Sequence, residues 1–215
     1  NGAIILETVI QNFNFESLYH GVYSYFSIYS LINLITKAGL LISEVKLLQS
    51  HGKSVRIILV NPKQSNYIKI NQSFNKKINF KKKLDFNNIQ TIKKFYQKSN
   101  KEIQIFIKKF KKIQEIAKLK KMEIIGYGAA GRTSTYLSVL GIDSKSLSYI
   151  SDINKNKWNK YFPNSNLIIK NPKILNGKKN SFIIVFTWNF FLEIKKYLKE
   201  INFHGKIINI KELLK

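Results

Sequence analysis

The amino-acid sequence predicts an α/β fold whose C-terminal part is a parallel sheet covered by helices. From residue 122 onward, short apolar segments alternate with helical ones, which is the rhythm of βαβ units. The first apolar segment runs into a glycine-rich turn, and a helical pattern follows that turn. These observations predict a Rossmann-like sheet over residues 122–215, preceded by a helical connector over 66–121 and a partial α/β unit over 1–65.

The partial α/β unit is predicted to contain one helix and a β-hairpin. Ser27 is a typical N-cap, apolar residues follow it at helical spacing, and Gly39 stands where such a helix ends. The segments LLISEVKLL and SVRIILV are predicted strands, joined by the turn QSHGK.

The connector is predicted to be a polar linker followed by a helix. Residues 66–84 are rich in Lys and Asn and show no clear period. From Asp85 to Lys121 a helical pattern dominates, with lysines opposite an apolar stripe that comprises Ile103, Ile107, Phe110, Ile113 and Ala117. The Ser-Asn-Lys triplet at 99–101 interrupts the pattern, so a break or kink is expected there.

The C-terminal region is predicted to hold five strands and two helices. The strands are MEIIGYG, SLSYISD, NLIIK, SFIIVFT and KIINI; the helices are TSTYLSVLG, ending at Gly141, and NFFLEIKKYLKE. Their alternation places the glycine-rich turn at the carboxyl end of the first strand.

The composition excludes several kinds of functional site. The chain has 215 residues, no cysteine and a formal net charge of +25. The absence of cysteine excludes disulfides, thiolate metal sites and a cysteine nucleophile, and no metal site is expected. Apolar runs stay below the ~18 residues that a membrane span needs, and the first residues lack the pattern of a signal peptide. A cytoplasmic protein is therefore expected.

The positive charge is interpreted as lysine-rich solvated surface. Only Arg56 and Arg132 are arginines, and the lysines are spread along the chain. Dedicated nucleic-acid binders usually carry arginine too, because its guanidinium pairs with phosphates and with guanine edges. Neither a nucleic-acid partner nor a membrane partner is therefore expected, although a basic nucleic-acid-binding protein stays open as a third hypothesis.

The sharpest local motif is Gly126-Tyr127-Gly128-Ala129-Ala130-Gly131-Arg132, a GxGxxG between a predicted strand and helix. In such turns the glycines allow a tight turn, approach to a phosphate and close helix packing, while the helix start favours an anion. Asp152 ends the next strand, where dinucleotide folds place a ribose-binding carboxylate. The motif alone indicates NAD, or glycines that serve only the turn.

Two observations disfavour NAD. Only about five strands are predicted, so no room follows for a catalytic domain. His204 precedes the last strand and is interpreted as a turn residue rather than as a proton-transfer group.

Several segments, in order, resemble sugar-nucleotide C-methyltransferases. YHGVYSYFS is similar to their Y-H-E-H-x-S-Y-F-S signature and HGKSVR to H-G-G-S-x-R. GYGAAGRTST resembles GYGA-x-x-K-x-x-T, DINKNKWNKYFPN resembles D-x-N-x-x-K-x-G-x-x-x-P-G, and FTWNF resembles a W-N motif. The resemblance implies a nucleotide-sugar site with candidate residues Gly126, Tyr127, Gly128, Ala129, Gly131, Arg132, Thr135, Asp152, Trp188 and Asn189.

The resemblance also implies a reaction. In that family a base removes a proton beside the keto group of a nucleotide-linked 4-keto sugar, and the enolate carbon takes a methyl group from S-adenosylmethionine. An altered reaction is the alternative to the standard one, and the candidate proton-transferring residues are Tyr19, His20, Tyr23 and His51. Gly21 and Val22 stand where the signature has Glu and His, and neither side chain can move a proton.

By the same resemblance, residues 1–65 are the tail of an S-adenosylmethionine-type domain. We therefore expect this fragment to lack most of the methyl-donor site and to be inactive alone. The alternative is an NAD(P)- or nucleotide-binding Rossmann module without methyl transfer. The sequence makes no prediction of the sugar, the methylated carbon or the oligomeric state.

Overall fold

A computed structural model describes residues 2–9, 23–48, 54–63 and 89–215. These residues form two compact units, which divide between Gln97 and Lys98. Helix α2 (Ile89–Leu119) begins in the first unit and ends in the second.

The first unit is a three-stranded antiparallel sheet with a helix. It comprises β1 (Ala3–Val9), α1 (Ile28–Lys37), β2 (Leu41–Leu48) and β3 (Ser54–Val60). Strand β3 lies in the middle and runs antiparallel to both neighbours, so that β1 and β2 point the same way. The predicted hairpin is confirmed as the β2–β3 pair.

Helix α1 has the limits that its sequence predicts. The Ser27 hydroxyl accepts a hydrogen bond from the Ser30 N–H at 3.1 Å, and Gly39 adopts a φ of +70° just past the helix. The apolar face of α1 packs on β3 in a single cluster. Its buried members are Ile28, Leu31, Ile35, Val55, Ile57 and Leu59.

Helix α2 runs without interruption through residues 99–101, so the predicted break is wrong. Ser, Asn and Lys cost a helix at most about 0.7 kcal/mol each relative to Ala, far less than proline does. An ion pair between Lys98 and Glu102, 3.6 Å apart and one turn away from each other, spans the triplet.

The second unit is a five-stranded parallel sheet flanked by helices. Its elements are β4 (Glu123–Tyr127), α3 (Gly131–Leu140), β5 (Ile150–Ser151), β6 (Ile169–Lys170), β7 (Ser181–Val185), α4 (Phe191–Glu200), β8 (Lys206–Asn209) and α5 (Ile210–Leu213). The strand order is β6-β5-β4-β7-β8, and all pairs are parallel. This confirms the predicted α/β fold with a Rossmann-like sheet. The short helix α5 was not predicted.

The strands of this sheet are buried, which explains their nearly continuous apolar sequences. On one face, Ile125 and Ile183 pack against Leu198 of α4. Elsewhere in the unit Tyr136 of α3 is fully buried, and its ring centroid lies 6.1 Å from that of Phe186.

The strand order creates a switch point. Chain order leads from the central β4 to β5 and β6 on one side, then to β7 and β8 on the other. Connections therefore diverge between β4 and β7, and open α/β sheets bind ligands at the carboxyl ends of the strands at such a point. Within the described ranges, no helix combines the length and the apolar character that would let it span a bilayer.

Replacing Gly126 by alanine is expected to destabilise the second unit. A Cβ at this buried position of β4 would lie 2.9 Å from Ile150 Cγ1 and 3.0 Å from Phe186 Cε2. Overpacking of this kind costs about 1–3 kcal/mol, measurable by urea denaturation. Gly2→Ala is the control, because open space surrounds that position. Equal stability of both variants would contradict the expected crowding.

Asn159 and Asn164 adopt left-handed φ values of +60° and +57°. In the pattern D-x-N-x-x-K-x-G-x-x-x-P-G both positions are glycine. Substituting either asparagine with glycine should change the free energy of unfolding by less than about 1 kcal/mol. Substitution with valine should lower it by at least that much, because a β-branched residue is strained at a positive φ. Asn156→Val, in a 3₁₀ turn, is the control. Thermal denaturation showing that valine is tolerated equally at 156 and 159 would refute the conformational argument.

Candidate functional site

The glycine-rich turn follows β4 and leads into α3. The Gly128 N–H donates to the Ser151 carbonyl at 2.8 Å, and the Thr133 hydroxyl donates to the Gly128 carbonyl at 2.7 Å. The Ala130 N–H in turn donates to the Thr133 hydroxyl at 3.2 Å. These bonds fix the path of the turn before any ligand is present.

Two of the glycines are required by packing. Gly126 lies within β4, against Ile150 and Phe186. Gly128 has a φ of +95°, and a Cβ there would collide with the Thr187 side chain at the end of β7. Gly131 is the exposed first residue of α3. The first N–H groups of any α-helix lack intrahelical acceptors, so this end favours an anion.

Asp152 lies beneath the turn, with only 7% of its surface exposed. Its Oδ2 accepts from the Ala129 N–H at 2.6 Å, and its Oδ1 accepts from the Asn154 N–H at 2.8 Å. The carboxylate therefore ties the end of β5 to the turn after β4.

Lys157 completes this arrangement and was missed by sequence reasoning. Its ammonium donates to the Ala129 carbonyl at 2.7 Å and lies 3.3 Å from Asp152 Oδ2. The side chain of Asn154 caps the 3₁₀ turn Lys155–Lys157 by accepting from the Asn156 N–H. The three residues in contact thus occupy the three specified positions of the pattern D-x-N-x-x-K. That spacing was the sequence signal from which Lys157 could have been found.

A cavity of about 680 Å³ opens beside the turn. The turn and the exposed flank of α3 form one wall, and the segment after β5 forms the other. The residues that line it include Ala130, Gly131, Ser134, Lys157, Phe162 and Asn164. Its volume lies within the range of small-molecule sites.

Arg132 and Thr135 lie on a different flank of α3. With 3.6 residues per turn, Gly131, Ser134 and Ser138 share the flank that lines the cavity, and Arg132 projects about 100° away from Gly131. Of the predicted site residues in this helix, Gly131 therefore lies on the cavity side, and Arg132 and Thr135 lie on another side.

Trp188 and Asn189 follow β7 at the same edge of the sheet. Trp188 is half-buried and Asn189 is exposed. The Lys211 ammonium of α5 lies 4.9 Å from the centroid of the Trp188 ring, a cation–π contact. Thr187, next to Trp188, is the residue that Gly128 approaches, so the two motifs meet at the switch point.

Tyr127 points into the core, with 3% of its surface exposed. Burial, followed by the charges of Tyr197 and Asp152, raises the pKa of its phenol far above the ordinary value. Any contact of this residue with a ligand would involve its backbone.

A second polar cluster lies at the amino end of β4, opposite the turn. Glu123 and Lys178 form an ion pair, and the Lys178 ammonium is 5.6 Å from the Tyr149 ring centroid. Burial raises the pKa of Tyr149, although Lys178 partly opposes it. Burial lowers the pKa of Lys178, but its hydrogen bond to Glu123 and the nearby charges raise it overall.

Tyr19, His20 and His51, and also Gly21 and Val22, lie outside the described residues. Arg56 pairs with a carboxylate, since its Nε and Nη2 donate to Glu7 Oε2 of β1 at 3.0 and 2.8 Å. The acidic residues described in the first unit are Glu7 and Glu44. Of these two, Glu7 already pairs with Arg56.

No group of three or more His, Cys, Asp or Glu side chains that could hold a metal ion occurs among the residues that the structure describes.

Comparison with known proteins identifies the family. No curated protein matches the sequence. The family model described as the C-methyltransferase C-terminal domain matches residues 49–210, most of the chain and nearly all of the second unit. The chain therefore belongs to the C-methyltransferase C-terminal domain family.

Proposed function

We propose that the second unit binds a nucleotide-linked keto sugar on behalf of an S-adenosylmethionine-dependent C-methyltransferase. The carbon beside the keto group would be the methyl acceptor. The observation that carries this proposal is the position of two motifs, the glycine-rich turn and Trp188-Asn189, on the two strands that flank the switch point.

The turn suits the diphosphate of such a substrate. Its backbone is already fixed by hydrogen bonds, and the start of α3 supplies a positive dipole end. Arg132 adds a permanent charge in the first turn of the helix. A fixed site of this kind binds an anion with little loss of conformational entropy.

Trp188 suits the uncharged part of the ligand. Its side chain is partly accessible, and the exposed Asn189 offers both a donor and an acceptor for sugar hydroxyls. Lys211 fixes the indole from one side. An aromatic ring beside hydrogen-bonding groups is a common arrangement in small-molecule sites.

The contacts of Asp152 favour a nucleotide-sugar over NAD. In dinucleotide folds, the carboxylate at the end of the second strand holds the ribose hydroxyls. Here both of its oxygens already accept hydrogen bonds from within the unit. With 7% of its surface exposed and Oδ2 already shared by two donors, Asp152 offers a ribose little accessible carboxylate.

The catalytic assignment rests on the resemblance. We propose that Tyr19, His20 and His51 supply the proton-transferring groups, with His20 or Tyr19 as the base. Breaking the C–H bond beside the keto group sends the proton to that base and leaves an enolate, whose oxygen needs hydrogen-bond donors.

Calorimetric titration with UDP-glucose, dTDP-glucose and NAD tests the binding proposal. We expect one of the nucleotide-sugars to bind more tightly than NAD, at an ionic strength that screens the general positive charge. Tight NAD binding that Asp152→Ala abolishes, without any response to either nucleotide-sugar, would instead establish the dinucleotide alternative.

Trp188→Ala should weaken nucleotide-sugar binding about tenfold, because base or sugar stacking on an aromatic ring contributes about 1–3 kcal/mol. Tyr96→Ala is the matched control, since this tyrosine is exposed on α2 before the second unit begins. An unchanged dissociation constant in Trp188→Ala would remove the indole from the site.

A further inference from the structure

We propose that Lys157 is the phosphate-binding cation of the 680 Å³ cavity and that the cavity holds the nucleotide end of the ligand. This inference deepens the proposed function, on which it rests, by adding a binding residue and an orientation. The keto sugar would then extend past the start of α3 towards Trp188.

The ammonium of Lys157 is held in place. The Ala129 carbonyl and the Asp152 carboxylate take two of its three N–H groups, at 2.7 and 3.3 Å. The side chain lines the cavity and remains 36% exposed, so the ammonium is within reach of a ligand. A lysine restrained in this way loses less conformational freedom on binding than a free surface lysine does.

The ion pair also determines what the cavity can recognise. The Asp152 side chain is only 10% exposed, and the residues that line the cavity include Lys157 but not Asp152. A ligand in the cavity therefore contacts the ammonium rather than the carboxylate. This arrangement favours a phosphate over a ribose diol, because hydroxyls gain most from an accessible carboxylate.

The remaining walls fit the flat body of a nucleoside. Phe162 and Ile169 are buried apolar residues on the wall opposite α3, and Pro163 stands beside them. Ser134 and Asn164 add hydrogen-bonding groups. A lining of apolar residues with a few polar groups and a cation suits a nucleoside phosphate.

The test compares Lys157→Met with two other variants. Lys155→Met removes the same charge from an exposed residue of the same 3₁₀ turn, and Lys157→Arg keeps the charge. Inorganic pyrophosphate, UDP-glucose and dTDP-glucose are titrated against each protein. Lys157→Met should bind pyrophosphate and the preferred nucleotide-sugar about 10- to 100-fold more weakly, the effect of losing a charge-assisted hydrogen bond. The other two variants should stay within about threefold of the parent chain.

A measurement on the unsubstituted chain guards against a folding defect in Lys157→Met. Pyrophosphate titrated into ¹⁵N-labelled protein should shift the amide signals of Gly131, Ser134 and Lys157. Shifts confined to the lysine-rich face of α2 would overturn the proposed site.

The outcomes separate the two proposals. Nucleotide-sugar binding that Lys157→Met leaves unchanged overturns the role of Lys157 and leaves the proposed function standing. Pyrophosphate binding that depends on Lys157, without binding of any nucleotide-sugar, overturns the proposed function and supports an anion site in the cavity. A chain that binds none of the probes overturns both.

Discussion

The buried carboxylate of Asp152 is the interaction on which the site depends. It accepts from the Ala129 N–H and pairs with Lys157, so that the end of β5, the turn after β4 and the following 3₁₀ turn are held together. Removing Lys157 would leave a carboxylate with 7% exposure without its ion-pair partner, which destabilises the arrangement. The start of α3, the wall of the cavity and the position of the lysine all follow from this one group.

A second constraint comes from the opposite side of β4. Gly128 has no side chain, so Thr187 at the end of β7 can reach the turn. This close approach brings the glycine-rich turn next to the segment that contains Trp188 and Asn189. Glycine is therefore required at position 128 for two reasons. The backbone has a positive φ that L-residues avoid, and a Cβ would prevent the close approach of Thr187.

The sequence predicts the fold well because local signals and tertiary packing agree. The cap at Ser27, the stop at Gly141 and the apolar strands all appear where their patterns indicate. The Ser-Asn-Lys triplet misleads because weak local preferences yield to the packing of a long helix. The site was only half predictable: the glycines and Asp152 stand in a recognisable spacing, but the charge of Lys157 by itself does not distinguish it among 37 basic residues. The D-x-N-x-x-K spacing marks the position, and the fold shows the contact of Lys157 with Asp152.

The same geometry explains why a GxGxxG turn does not by itself imply NAD. The glycines allow close packing between β4, β5 and β7, and this packing requires them whichever ligand binds. Ligand choice depends instead on the groups that remain accessible around the turn. In this chain the accessible group on the cavity side is an ammonium, and on the other side an indole. The Asp152 carboxylate supports the turn from beneath through its contacts with Ala129, Asn154 and Lys157, and these contacts serve the fold whichever ligand binds.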